Sequence, residues 1–249
     1  MALDIPRVSI LGVPVDVVDW PQALDAVAAL VERSGPPATV IAINPEKVMA
    51  AGGDHRLLKQ ISAAGLLIPD GVGVVWAARF LGLGRMERVP GSEMMPAICA
   101  LAAVRGYKVF LFGAKEDTNA RCGEVLRKTY PGLQIVGRQD GYLNDDAMLE
   151  LVATINASGA EILFVALGSP RQELWMERYL PLLNIKVCQG VGGTFDVVAG
   201  NVKRAPEIFR ALNLEWLYRL ITNPGRAGRQ RVLPVFVWRV VKSKWLAHA

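Results

Sequence analysis

Short, uninterrupted apolar stretches recur along this chain. Most of them are followed, within a few residues, by a helical pattern. "ATVIAI" (Ala38–Ile43) runs into "PEKVMAAG", "GLLIP" into "DGVGVVWAARFLG", "YKVFLFG" into "AKEDTNARCGEVLRKTYPG", "EILFVALG" into "SPRQELWMERYLPLL" and "IKVCQGVGG" into "TFDVVAGN"; "LQIVG" is a further strand. Strands rich in Val, Ile and Leu that do not alternate with polar residues are buried on both faces. Strand–helix repetition then requires parallel neighbours joined by right-handed crossovers. The expected fold is α/β: a mostly parallel, Rossmann-like sheet flanked by helices. After Gly200 the rhythm stops. "APEIFRALNLEWLYRLI" reads as a helix, "TNPGRAG" as a break, and "RQRVLPVFVWRVVKSKWLA" as a second helix interrupted by proline. The chain therefore divides into a core, residues 1–200, and a helical C-terminal appendage, residues 201–249.

Charge follows the same division. The net charge is +5, and Val202–Ala249 holds ten Lys/Arg against two Glu, or +8, which leaves −3 for the first 201 residues. A basic terminus on an acidic core suits a polyanionic partner: nucleic acid, an anionic membrane surface or a phosphate-bearing substrate. Basic residues interleaved with Phe236, Trp238 and Trp245 suit the headgroup region of a bilayer in particular. No apolar run approaches 18 residues, so a spanning helix is not expected. "MALDIPRVSILGVPVDVV" has no basic region followed by a continuous apolar one, so no signal peptide is expected. With three scattered Cys, no CxxC and two His, a Cys/His zinc site is disfavoured and a reducing compartment fits.

Three strand–helix joins carry glycine: Gly113 in "LFGA", Gly168 in "ALGSP" and Gly192-Gly193 in "VGGT". In an open parallel sheet such turns lie at the carboxyl edge, where ligands bind. Glycine admits a ligand close to the backbone, and helix N-termini favour phosphate. Tight αβ turns alone would also account for them. Neither G-x-G-x-x-G with its downstream acid nor GxxxxGK[ST] is present, which argues against a dehydrogenase and a P-loop NTPase. Gln172, Glu173 and Thr194 open the helices after these joins and belong to the candidate set. "GSPRQE" has a structural alternative, with Ser169 as N-cap, Pro170 as first helical residue and Gln172 closing a capping box. Asp70 in "LIPDGVG" is either an N-cap or a carboxylate placed to accept a proton from an attacking hydroxyl. Asn44 in "INPEKV" is a turn residue whose amide could hold a sugar hydroxyl. Arg88 in "ERVPGSE" is a solvated loop residue or a phosphate clamp.

Together "INPEKVMAA", "LIPDGVGVVWAARFLG", "RVPGSEMM", "VFLFGAKE", "LFVALGSPRQELWM", "GVGGTFDVVAGNVKRAP" and "NLEWLYRLITNPGRAGR" resemble the WecG/TagA/CpsF glycosyltransferases, in the family order, over about Asn44 to Arg231. The resemblance implies an inverting, metal-independent bacterial enzyme without a cofactor. It would move a sugar from a UDP-sugar donor to a polyprenyl-diphosphate-linked acceptor at the cytoplasmic face of the plasma membrane, in cell-wall or exopolysaccharide synthesis. The donor sugar would be N-acetylmannosamine, its uronic acid or glucose. By the same resemblance Asp70 matches a proposed general base and Asn44, Arg88 and Gln172 match pocket residues. Arg219, Arg226 and Arg229 match arginines of an appendage that holds the diphosphate, completes the site and contacts the membrane. Some members have Thr two places before the Asn; here it is Ala42.

Many glycosyltransferases hold a metal with DxD. The nearest stretches here are "DVVD" and "NDD", and neither matches. A nucleotide-binding oxidoreductase and a basic adaptor for nucleic acid are the rival classes. The glycine fingerprint is missing for the first and a recognition motif for the second, so no nucleic-acid partner is expected. An exposed apolar terminus makes homo-oligomers an expectation as well.

Overall fold

The computed structural model describes residues 5–202, 209 and 231–246. Six strands form one parallel sheet: β3 (Ala38–Ile43), β4 (Leu66–Pro69), β5 (Lys108–Gly113), β6 (Gln134–Gln139), β7 (Ile162–Ala166) and β8 (Val187–Gly190). Their order across the sheet is β4-β3-β8-β7-β5-β6. β4 and β7 are buried at every residue, as their unbroken apolar sequences require. The α/β class and the parallel sheet read from the sequence are those of the fold.

An antiparallel hairpin, β1 (Arg7–Ile10) and β2 (Val13–Asp16), precedes the sheet and had no counterpart in the expected strands. It lies beside β4, the edge of the sheet. Asp16, 2% exposed, accepts the Leu67 N–H at 2.8 Å and pairs with Arg7 through two bonds of 2.6 and 3.0 Å. The hairpin thus satisfies part of an edge that would otherwise offer free backbone groups. It also engages the first aspartate of "DVVD" in a structural ion pair.

Helices cover both faces. Helices α1 (Trp20–Glu32), α5 (Gly91–Arg105), α6 (Glu116–Thr129) and α9 (Thr194–Val198) pack over Val40, Leu66, Leu111, Phe164 and Val187. Helices α2 (Pro45–Ala51), α3 (His55–Ser62) and α4 (Val72–Leu81) cover Ile41, Ile43 and Leu67 on the other face. Helices α7 (Met148–Ala157) and α8 (Arg171–Tyr179) cover Phe110, Phe112, Leu163 and Val165. The start of α1 is written locally: Asp19 and Gln22 form a reciprocal capping box, and Pro21 occupies the first turn.

The chain leaves β5 for one face, through α6, and β7 for the opposite face, through α8. These strands are neighbours, so their carboxyl ends splay apart and form the crevice that such sheets use for ligands.

The last described element, α10 (Val232–Leu246), corrects the proline-interrupted helix expected there. It is continuous, because Pro234 falls in the first turn, where the missing N–H has no intrahelical acceptor in any case. Phe236 and Val240 are 1% and 0% exposed and belong to the same cluster as α2 and α4.

Candidate active site

The carboxyl ends of β3 and β4 place Asn44 and Asp70 side by side, with the Asp70 N–H bonded to the Ile43 carbonyl at 2.8 Å. Asn44 caps α2, its side-chain oxygen accepting the Lys47 N–H at 2.8 Å. Asp70 stands one residue before the N-cap of α4, not at it. The N-cap of α4 is Gly71, at φ 92°. The Asp70 carboxylate is directed instead to the first turn of α5. Its Oδ2 would lie 3.8 Å from a Cβ built on Gly91. Arg88 approaches the same turn, 3.9 Å from Glu93. The N-cap of α5 is Pro90, which offers no side-chain bond, and the positive end of this helix faces the corner. Ala42 touches the same place: a Cβ on Gly91 would stand 3.0 Å from the Ala42 methyl.

At the crevice, Gly113 ends β5 with φ 116°, and a Cβ there would fall 2.6 Å from the Ala166 backbone of β7. Only glycine permits this approach. Ala114 continues in a left-handed conformation at φ 58°, an arrangement that costs about 1 kcal/mol and collects at functional sites. Asn119, wholly buried, fixes the join by donating to the Gly113 and Gln139 carbonyls, both at 2.9 Å. Gly168 ends the opposite lip at φ 74°.

The structure corrects the capping-box alternative for "GSPRQE". Helix α8 begins at Arg171, the Ser169–Pro170 bond is cis, and Pro170 occupies the N-cap without a side-chain bond. Gln172 reaches across instead. Its Oε1 accepts the Gly192 N–H at 3.0 Å, which ties the start of α8 to the turn between β8 and α9. Gly190 is glycine for the same reason: a Cβ would meet Gln172 Nε2 at 2.6 Å. Thr194, 3% exposed, turns inward and donates to the Val191 carbonyl at 2.6 Å, so its hydroxyl shapes the turn. Gly193 is exposed at the apex.

Glu173 lies beside Gln172 and is 5% exposed. The Lys47 ammonium meets its Oε1 at 2.8 Å. Burial by itself would raise this carboxyl; the Lys47 charge and hydrogen bond, with further hydrogen bonds from its own backbone and from Ser169, outweigh burial and hold it below the ordinary value. Lys47 was not among the expected site residues. The only hint in the sequence was a cation in the first turn of a helix, where it opposes the helix dipole; nothing there pointed to Glu173.

The candidate residues thus gather along one edge of the sheet, in two groups. Asn44, Asp70 and Arg88 stand near the start of α5, whereas Gly113, Gly168, Gln172 and Gly192 surround the crevice. The Lys47–Glu173 pair links the two groups. Arg219, Arg226 and Arg229 lie outside the described residues.

The chain is 37% identical, over 207 residues, to the N-acetylglucosaminyldiphosphoundecaprenol N-acetyl-beta-D-mannosaminyltransferase of Bacillus spizizenii, covering 83% of this chain and 80% of the relative. It is 35% identical over the same shares to the enzyme of that name from Bacillus subtilis. The model of the glycosyl transferase WecG/TagA/CpsF family matches residues 8–249. Glycosyl transfer therefore replaces the oxidoreductase and adaptor alternatives, and the chain belongs to the WecG/TagA/CpsF glycosyltransferase family.

Proposed function

We propose that this enzyme transfers a hexosyl unit from a UDP-sugar to a polyprenyl-diphosphate-linked saccharide, with inversion and without a metal ion. The observation that carries the reading is the position of Asp70. It precedes the α4 N-cap Gly71, stands at the carboxyl edge between Asn44 and the α5 N-terminus, and shares that edge with the glycine-lined crevice. Relatives named for N-acetylmannosamine transfer to an N-acetylglucosaminyl-diphosphoundecaprenol make N-acetylmannosamine the first donor to test, before its uronic acid and glucose.

In this mechanism the acceptor hydroxyl attacks C1 of the donor sugar, and the C1–oxygen bond to UDP breaks on the opposite face. Asp70 takes the hydroxyl proton, a contribution of about 10²–10⁴-fold. Asn44 holds a sugar hydroxyl, and Arg88 and the α5 N-terminus face the reacting centre. The nucleotide diphosphate sits against the Gly113, Gly168 and Gly192 turns. Charge developing on the leaving diphosphate is met by backbone N–H groups and by Arg219, Arg226 and Arg229 of the appendage.

The acceptor is a membrane lipid, and the enzyme meets it from the cytoplasmic surface. No helix among the described residues is long and apolar enough to cross a membrane. Helix α10 exposes Val235, Trp238, Trp245 and Leu246 together with Arg239 and Lys242, the mixture that binds an anionic interface.

A panel of UDP-N-acetylmannosamine, UDP-N-acetylmannosaminuronic acid and UDP-glucose, offered with a short-chain prenyl-diphospho-N-acetylglucosamine acceptor, tests the reading. Transfer from one of them, undiminished by EDTA, is the expected result. Absence of transfer from all three would end it.

A further inference from the structure

The contacts of α10 assign it a task inside the protein as well as at its surface. It runs alongside α4 and packs on both α4 and α2. Near its start the Phe236 ring, 1% exposed, lies against Gly73 in the first turn of α4. A Cβ built on Gly73 would stand 3.7 Å from Phe236 Cε1 and 2.6 Å from Pro45 Cγ. Pro45 follows Asn44, and Gly73 comes three residues after Asp70. Phe236 therefore backs directly onto the contact that sets the spacing of the two turns. Near its end Lys244 donates to the Phe80 carbonyl at 2.5 Å and covers the Phe80 ring at 4.4 Å, which holds the last turn of α4. One helix thus grips α4 at both ends. Positions 236 and 244 span about 12 Å along α10, and positions 73 and 80 about 10 Å along α4, so the grip needs no distortion.

We propose that α10 is a strut for the active site and that Phe236 is a positioning residue. By clamping the first turn of α4 against Pro45, it fixes Asp70 relative to Asn44. The helix that offers aromatic and basic side chains to the lipid surface on one side holds the proton-accepting turn on the other. This inference rests on the assignment of Asp70 as the base.

The test uses the full chain, UDP-N-acetylmannosamine and a short-chain, water-soluble acceptor, so that membrane attachment does not enter. Phe236→Ala should lower kcat at least about tenfold with KM little changed, as displacement of a catalytic group by about 1 Å would. Phe236→Leu should restore most of the loss. Hydrogen exchange of the free enzyme should quicken at residues 44–48 and 70–74 in Phe236→Ala. Ile155→Ala, an equally buried deletion in α7, should leave kcat and that exchange as in the wild type. If Phe236→Ala does not fold, Phe236→Val is read in its place. A folded variant with wild-type kcat, or with exchange at the two turns unchanged, overturns the strut. If the wild type transfers no sugar at all, the proposed reaction falls. Unaltered exchange in the variant would then still overturn the strut by itself.

Discussion

Gln172 accepts the Gly192 N–H at 3.0 Å, and through that bond the helix after β7 holds the turn after β8. The bond spans 20 residues of sequence and crosses the edge of the sheet where the nucleotide is proposed to sit. It needs space, and Gly190 provides it, since any Cβ there would strike the Gln172 amide. Two replacements at different positions should therefore have the same effect. Gln172→Ala removes the acceptor, and Gly190→Ala pushes it away. Each should cost about 1 kcal/mol, or roughly fivefold in kcat/KM for the donor. Initial-rate kinetics against UDP-sugar decides the matter, and a pair of unchanged constants would remove Gln172 from the donor site.

Asp70 stands one residue before the α4 N-cap Gly71, so its two readings, proton acceptor and structural residue, can be separated by experiment. Asp70→Asn keeps the shape and removes the base. We expect kcat to fall by about 10²–10⁴-fold, with the melting temperature close to that of the wild type. Near-normal turnover would remove Asp70 from the mechanism; a large loss of melting temperature would recast it as structural.

Why the architecture was legible and much of the site was not follows from the range of the forces involved. Val- and Ile-rich strands such as β3 and β7 declare their double-sided burial in the sequence itself, and glycine at position 113 declares a tight join. Asp70 and Gln172 each had a local explanation, a cap and a capping box, that the sequence could neither support nor refuse. The folded chain decided between them: Gly71 took the cap at α4, and Gln172 turned to the Gly192 N–H in the turn after β8. The hairpin β1–β2 was missed because Asp16 finds its partners, Arg7 and the Leu67 N–H, only in the folded protein. Lys47 and Glu173 stand 126 residues apart, so no local pattern could join them.

That pair gives a pH dependence with a definite sign. The folded-state Glu173 carboxyl lies below its ordinary value because burial, which raises it, is outweighed by the Lys47 ammonium together with hydrogen bonds from Lys47, its own backbone and Ser169. Its contribution to stability is therefore complete above the usual glutamate range, about pH 4.3, and is lost as pH falls through the lower folded-state value. Removing the carboxylate leaves the Lys47 ammonium, whose side chain is 15% exposed, without its partner. Glu173→Gln should thus be destabilised at pH 7 by about 3 kcal/mol. The deficit should shrink as the wild type is acidified below pH 4. Denaturant unfolding of both proteins at pH 7 and pH 3.5 measures it. A deficit independent of pH would mean that the ion pair is not its source.

The outward face of α10 makes the last prediction. Trp238 and Trp245 are 59% and 74% exposed, while Phe236 and Val240, on the opposite face, are buried. Replacing the two tryptophans with alanine should leave the fold intact, because neither side chain enters the core. Each buried indole contributes apolar area to an interface, and Arg239 and Lys242 add attraction to anionic headgroups that salt screens. The double variant should bind vesicles containing phosphatidylglycerol at least about tenfold more weakly than the wild type. Wild-type binding should itself weaken between 50 and 500 mM salt, a range over which the Debye length falls from roughly 14 to 4 Å. Turnover of a short-chain acceptor in solution should change less than turnover of a long-chain acceptor in those vesicles. Equal vesicle binding by the two proteins would place the membrane contact elsewhere on the chain.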